Sequence, residues 1–247
     1  MLLKLPDLIA YRKKDKWGFC DKFKNLIIPA KFDFVGAFTE GFVKVKLNDK
    51  WGFINTKGEE ITEIKYDEAE NFKNGFAKVN LGIKKNNNRV VFSGKWGIIN
   101  TSGKEIIPVQ YSEIGEFFDE IFTIKLNDKW GLINKYGKII TPAKYDKLGK
   151  YNEELIPIKL NNKWGFINKN GDEIISNHYN EVGYFQNGIV KVRLNDWWGL
   201  INKEGKGITP IKYDEMEDFK DDLIKVKINN QWGYIDKNGT EYFEDQF

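Results

Sequence analysis

Apolar and polar residues alternate with a period of two in short runs separated by Asn, Asp and Gly. In "FVKVKLN", Val43, Val45 and Leu47 share one face and Lys44 and Lys46 the other, the pattern of a half-buried strand. The same run recurs at Phe122, Ile124, Leu126; Ile156, Ile158, Leu160; Val190, Val192, Leu194; and Ile224, Val226, Ile228. Asn48-Asp49 then predicts a tight hairpin turn. The following "KWGFIN" is apolar at Trp51, Phe53 and Ile54, which predicts a strand covered on both faces. Gly52, lacking a side chain, lets another backbone or ring approach beside the indole.

Glycine then recurs at one offset, as Gly58, Gly103, Gly137, Gly171, Gly205 and Gly239, where a turn calls for positive φ. Lys24 holds that offset in the first unit, so its turn is expected to differ. A third strand such as "KEIIP" is expected to close at Pro29, Pro108, Pro142 or Pro210, since proline cannot donate to a ladder. The last segment, "KYDEAENF", has Tyr66, Ala69 and Phe72 as apolar positions and suits either a bulged strand or a short helical turn. As a strand it would complete a four-stranded meander, the unit of a propeller blade.

The unit repeats. Trp-Gly occurs at Trp17, Trp51, Trp96, Trp130, Trp164, Trp198 and Trp232, with gaps of 34, 45, 34, 34, 34 and 34 residues, so one unit carries 11 extra residues. The reading is therefore one all-β repeat domain over residues 1–247, with seven β-meander repeats of 34 residues and a hairpin insertion within about 82–95. It favours a seven-bladed β-propeller-like ring, and the nearly whole number of units is compatible with closure. An open β-solenoid or superhelix of stacked β-hairpins is the alternative, because blades usually run to roughly 40 residues or more. Pro157 inside "LIPIKL" also sits awkwardly in an inner strand. In both architectures the recurring tryptophans form a structural core between neighbouring units, none of which can bury its aromatics alone.

"KWGFIN", a following glycine, an "IIP"-like run, "KYD" and an "F-x-x-G" turn together resemble the WG-repeat (KWG repeat) family of bacterial β-rich repeat proteins, over the whole chain. The resemblance implies a repeat scaffold and little chemistry.

Composition narrows the function without naming it. Aromatic residues at 15% and charged residues at 30% describe a folded chain with an evenly charged surface, and a net charge of +3 does not call for nucleic acid or a membrane. "MLLKLPDLIA" is too short and too interrupted to be a secretory signal, so a cytoplasmic location is expected, or an extracellular one if a signal was trimmed. Cys20 permits no internal disulfide, and with one Cys and one His, His178, no zinc site is expected. No cofactor, metal or catalytic residue is expected, and the protein is read as a non-enzyme. Asp33, Asp67, Asp146 and Asp214 recur after the "KYD" aromatic and suit a role in turn geometry, while Lys44, Lys46, Lys125, Lys159, Lys191 and Lys227 suit a solvated face.

Departures from the repeat carry the binding candidates. Trp197 replaces the lysine of "KWG", Lys84, Lys85 and Arg89 lie in the insertion, and Phe118 stands in a turn beside Phe117. The expected function is binding of an unknown protein or peptide by a monomeric scaffold. A carbohydrate or cell-wall ligand is the alternative, from the likeness of W-x6-G hairpins to choline-type cell-wall repeats, and nucleic acid is disfavoured.

Overall fold

In the computed structural model, described over residues 8–86, 89–220 and 222–243, the chain is all β. Its strands form seven antiparallel sheets of three or four strands, and within each sheet the spatial order follows the chain. The chain divides into two compact units. The first holds the residues up to Glu116 with Ile124–Asn127 and Asn134–Lys138, and the second holds Phe117–Thr123, Asp128–Ile133 and the residues from Ile139 on. Three meanders fall wholly in the first unit and three in the second, and the residues of the fourth, 113–145, are shared between them.

Each meander is built by local turn chemistry. Its second and third strands, such as Phe42–Leu47 and Lys50–Asn55, are joined by Asn48 and Asp49 at φ of 49° and 62°. Left-handed conformation at both central residues defines the primed turn whose twist matches an antiparallel pair, and Asn and Asp tolerate it best. The register sets Val43 and Val45 opposite Ile54 and Gly52 on one face, and Lys44 and Lys46 opposite Phe53 and Trp51 on the other. In the third meander the extra residues lengthen this hairpin, with Phe76–Asn86 paired to Arg89–Asn100.

The third strand ends in an asparagine that makes the next turn. Asn55 Oδ1 accepts the N–H groups of Lys57 (2.9 Å) and Glu59 (3.0 Å), while Gly58 N–H returns to the Asn55 carbonyl (3.0 Å) with φ +84°. Asn100, Asn134, Asn168 and Asn202 repeat the arrangement. The first unit does not differ as expected. Asp21 supplies the acceptor to Phe23 and Asn25, and Lys24 takes the left-handed conformation at φ 68°, because the side-chain cap fixes the turn whatever residue stands at that offset.

Proline does not close the next strand in three of the four units, and Pro210 lies outside any strand. Leu26–Phe32, Glu105–Tyr111 and Ile139–Tyr145 run through Pro29, Pro108 and Pro142 to the aromatic. The register explains why: Trp130 faces Tyr145 and Leu132 faces Thr141, so two extra residues form a bulge where a missing N–H is tolerated. The "KYD" segment is accordingly neither a helical turn nor one element. Its aromatic ends one meander, and two residues further on a short strand such as Glu68–Ala69 opens the next. Pro157 lies inside Leu155–Leu160, where its carbonyl accepts Gly149 N–H (2.7 Å) and its ring fills the space that a Cβ on Gly149 would need.

The bulge gives the Trp-Gly pair its glycine. A Cβ on Gly131 would stand 2.6 Å from the Thr141 carbonyl oxygen, and one on Gly165 2.4 Å from that of Ile175. The bulged backbone passes directly over these residues, and only glycine clears it.

Hydrophobic cores form between successive meanders. In the first unit Phe19 and Phe32 pack with Val43, Val45 and Ile54, and Phe53 and Tyr66 with Val79 and Ile99. In the second unit Phe166 and Tyr179 pack with Val190 and Val192, and Leu200 and Tyr213 with Val226 and Ile235. In these clusters a meander buries its apolar faces against its neighbour, which is the energetics of a repeat array.

Candidate functional site

Apart from Trp232, which is 37% exposed, the recurring indoles are half-buried, and cations lie over several of them. Lys44 and Lys46 place their ammonium groups 4.9 and 5.8 Å from the Trp51 ring centroid, Lys191 and Arg193 lie 5.5 and 5.7 Å from that of Trp198, and Lys225 and Lys227 lie 4.5 and 5.5 Å from that of Trp232. These lysines do not form a merely solvated face. The strand pairing that sets Lys46 opposite Trp51 brings aliphatic stem and charge onto the ring. Trp17, Trp51, Trp130, Trp164 and Trp198 each pack against a core between meanders.

A second recurring device joins one meander to the next. The lysine before Trp-Gly pairs with the aspartate of "KYD": Lys16 with Asp33, Lys50 with Asp67, Lys129 with Asp146. The other carboxylate oxygen caps the following hairpin, as where Asp33 accepts Asn48 N–H (2.7 Å) and Asp67 accepts Gly82 N–H (2.6 Å) and Ile83 N–H (3.1 Å). Asn180 plays both parts in the fifth meander, accepting from Lys163 Nζ (3.2 Å) and Asn195 N–H (2.8 Å). The Lys16 ammonium and Asn48 N–H hold the Asp33 carboxyl below the usual carboxylate range, and Lys129 does the same for Asp146. Burial alone would raise Asp67, but Lys50 and the two N–H groups outweigh it, and it too is lowered. Asp33, Asp67 and Asp146 therefore serve connection geometry.

The candidate residues are not gathered at one place. Trp197 opens its strand opposite Leu194 and is 44% exposed. Lys84 is exposed on the long hairpin of the first unit. The side chains of Lys85 and Arg89 lie outside the described residues, though their backbones pair with Val90 and Asn86. Phe118 is neither in a turn nor exposed. It ends the strand Glu113–Phe118 and stacks on Tyr151 with ring centroids 4.8 Å apart, because a residue two places after each bulge aromatic starts the next meander and pulls this segment into the sheet. His178 is exposed, with Ser176 Oγ at 3.3 Å from Nδ1 and the Tyr179 ring beside it. Among the described residues no group of three or more His, Cys, Asp or Glu could hold a metal ion.

A concavity lies within the second unit, between its last two meanders. It encloses about 490 Å³, and its walls include Tyr184, Phe185, Lys191, Glu217, Asp218 and Phe219. Tyr184 is 68% exposed at this cleft, whereas Phe185 is buried beneath it. Lys191 Nζ crosses between the meanders to Asp218 (2.5 Å) and the Met216 carbonyl (3.4 Å), and Glu217 lies 3.9 Å from Lys225 Nζ. The cleft thus offers an aromatic floor with both signs of charge on its walls. Tyr184 went unnoticed in the sequence, yet the signal was present: the equivalent positions hold Ala37, Asn71, Glu116, Lys150 and Asp218, so an aromatic there breaks the repeat as Trp197 does.

Comparison with known proteins agrees with the repeat. Among solved structures, the chain resembles a eukaryotic initiation factor (10% identity, 96% of this chain and 72% of that one, TM-score 0.37). It also resembles Kluyveromyces lactis Hsv2p (8% identity, 93% and 89%, TM-score 0.35) and the AfRom2 CNH domain (10% identity, 96% and 92%, TM-score 0.32). At such scores these likenesses carry no argument about this chain. Curated proteins give no significant match. The model of the WG containing repeat matches residues 17–51, 51–84, 96–130, 130–164, 164–196 and 198–232. From the register of its Trp-Gly pairs and this match along nearly its whole length, the chain belongs to the WG containing repeat family.

Proposed function

We propose that the protein is a non-catalytic repeat scaffold that binds a peptide segment of a partner protein, with the cleft between its sixth and seventh meanders as the recognition site. The observation that carries this reading is Tyr184, a large aromatic held 68% exposed at the mouth of a cleft whose walls include Phe219, Lys191, Glu217 and Asp218. Rigid exposed aromatics ringed by satisfied polar groups are the usual anchors of peptide recognition, since they gain contact area with little loss of side-chain freedom. The surrounding repeat supports the same reading, because its Lys16–Asp33, Lys50–Asp67 and Lys129–Asp146 pairs and its core-packed tryptophans are engaged in holding meanders together.

The test is selection of random displayed peptides on the immobilised full chain, followed by calorimetry of an enriched peptide. Loss of binding in Tyr184→Ala supports the cleft. A glycan array on the same two proteins separates the alternative: glycan binding that requires Tyr184, with no peptide enriched, would replace the peptide reading by a carbohydrate one.

A further inference from the structure

The sixth meander keeps the aspartate of the inter-meander clamp and loses its lysine. Asp214 occupies the position of Asp33, Asp67 and Asp146, and Trp197 that of Lys16, Lys50 and Lys129. The backbone there is the same. Trp198 N–H donates to the Tyr213 carbonyl (2.8 Å), and the Lys212 and Tyr213 N–H groups donate to the Trp198 carbonyl (2.9 and 3.1 Å). In the second meander Trp51, Lys65 and Tyr66 make the same bonds at 2.7, 3.0 and 3.0 Å. Asp214 N–H donates to the Lys227 carbonyl at 2.8 Å, as Asp33 does to Lys46 and Asp146 to Lys159. The two backbone positions that elsewhere hold an ammonium against a carboxylate are therefore in place, and only the ammonium has been exchanged for an indole.

Among the described residues the Asp214 carboxylate has neither an ion pair nor a side-chain hydrogen bond. The nearest lysine by register, Lys227, pairs instead with Glu215 (2.9 Å) and lies over Trp232. Trp197 is 44% exposed at the position the clamp lysine holds elsewhere, and an indole is the aromatic surface that attracts a cation in this fold's own Lys-over-Trp pairs.

We propose that Trp197 and Asp214 form a binding site for an alkylammonium group, the side chain of a lysine on a partner polypeptide, which supplies in trans the charge that the other meanders supply in cis. The carboxylate takes the ammonium by ion pairing and the indole covers the methylene stem. The site uses neither Tyr184 nor any other wall of the cleft, so it can stand or fall apart from the cleft reading.

The experiment follows the Trp197 indole N–H by NMR in the full chain during titration with n-butylammonium chloride at constant ionic strength, with neutral N-butylacetamide as control. The expected result is a saturable shift with the cation alone, weakened at least ~tenfold in Asp214→Asn. Trp197→Lys restores the residue that Lys16, Lys50 and Lys129 provide elsewhere; it should fold, pair internally with Asp214, and abolish the binding-dependent shift of neighbouring amides. An unsaturable shift, an equal response to the neutral control, or binding that survives Asp214→Asn overturns the proposal.

Discussion

The Lys50 ammonium rests on one carboxylate oxygen of Asp67 while the other oxygen accepts the backbone N–H groups of Gly82 and Ile83, so a single side chain ties one meander to the hairpin of the next. The two halves of this clamp are not worth the same. Asp67 is only 15% exposed, and removing it leaves two N–H groups short of an acceptor, whereas Lys50 is 45% exposed and its loss leaves the cap intact. Asp67→Ala should cost about 1–3 kcal/mol and Lys50→Ala less than about 1 kcal/mol, read by urea denaturation. Equal costs would contradict the cap as the main contribution.

The glycine of Trp-Gly is tested at Gly165. A methyl group there meets the Ile175 carbonyl oxygen at 2.4 Å, part of a paired strand, so Gly165→Ala should destabilise by about 1–3 kcal/mol or more. Gly207 provides the contrast, because the only neighbour of an added Cβ is the Thr209 carbonyl oxygen at 3.6 Å, and Gly207→Ala should stay within about 0.5 kcal/mol. Thermal melts of the two variants decide it, and similar losses in both would remove the clearance argument.

Lys24 carries positive φ where the later units have glycine. Relieving that conformation should raise stability, so Lys24→Gly is expected to gain up to about 1 kcal/mol in denaturant midpoint, partly offset by added freedom of the unfolded chain. A loss of stability would mean that the Lys24 side chain contributes more than its backbone costs.

Acid should loosen the array through its clamps. Asp33 and Asp146 are held below their ordinary value of 3.8 by their lysines, and Asp67 by Lys50 and backbone N–H groups against its burial. Asp21 is lowered by Asn25, and Asp236 by the Thr240 N–H. A carboxyl depressed in the fold contributes stability fully above its unfolded pKa, and that contribution is lost as pH falls through the folded one. Denaturation midpoints should therefore fall steeply below about pH 4. A triple Asp33→Asn, Asp67→Asn, Asp146→Asn variant should show a shallower acid slope; an unchanged slope would assign acid sensitivity elsewhere.

Sequence periodicity reads what is regular. Val43 and Val45 alternating with Lys44 and Lys46, and the glycine offset at Gly58, predict strand and turn correctly because each depends on residues within one hairpin. Pro142 misleads because a bulge breaks the period of two, and only the register between Trp130 and Tyr145 reveals that the strand continues past it. Lys44 reads as solvated because alternation tells which face a residue occupies and not what covers that face; the indole of Trp51 does. Phe118 is misplaced for a related reason, since its stacking partner Tyr151 lies in the next meander. Tyr184 is legible only by aligning the repeat units with one another at a position whose residues have nothing else in common.

The central claim is that the repeat residues hold the array while residues that break the repeat do the recognising, and it is tested most directly by calorimetry of a display-selected peptide against the native chain and Tyr184→Ala. The account predicts at least a ~tenfold weaker affinity with an unchanged melting temperature, because Tyr184 is exposed and its loss opens no core. An affinity that survives Tyr184→Ala would contradict it.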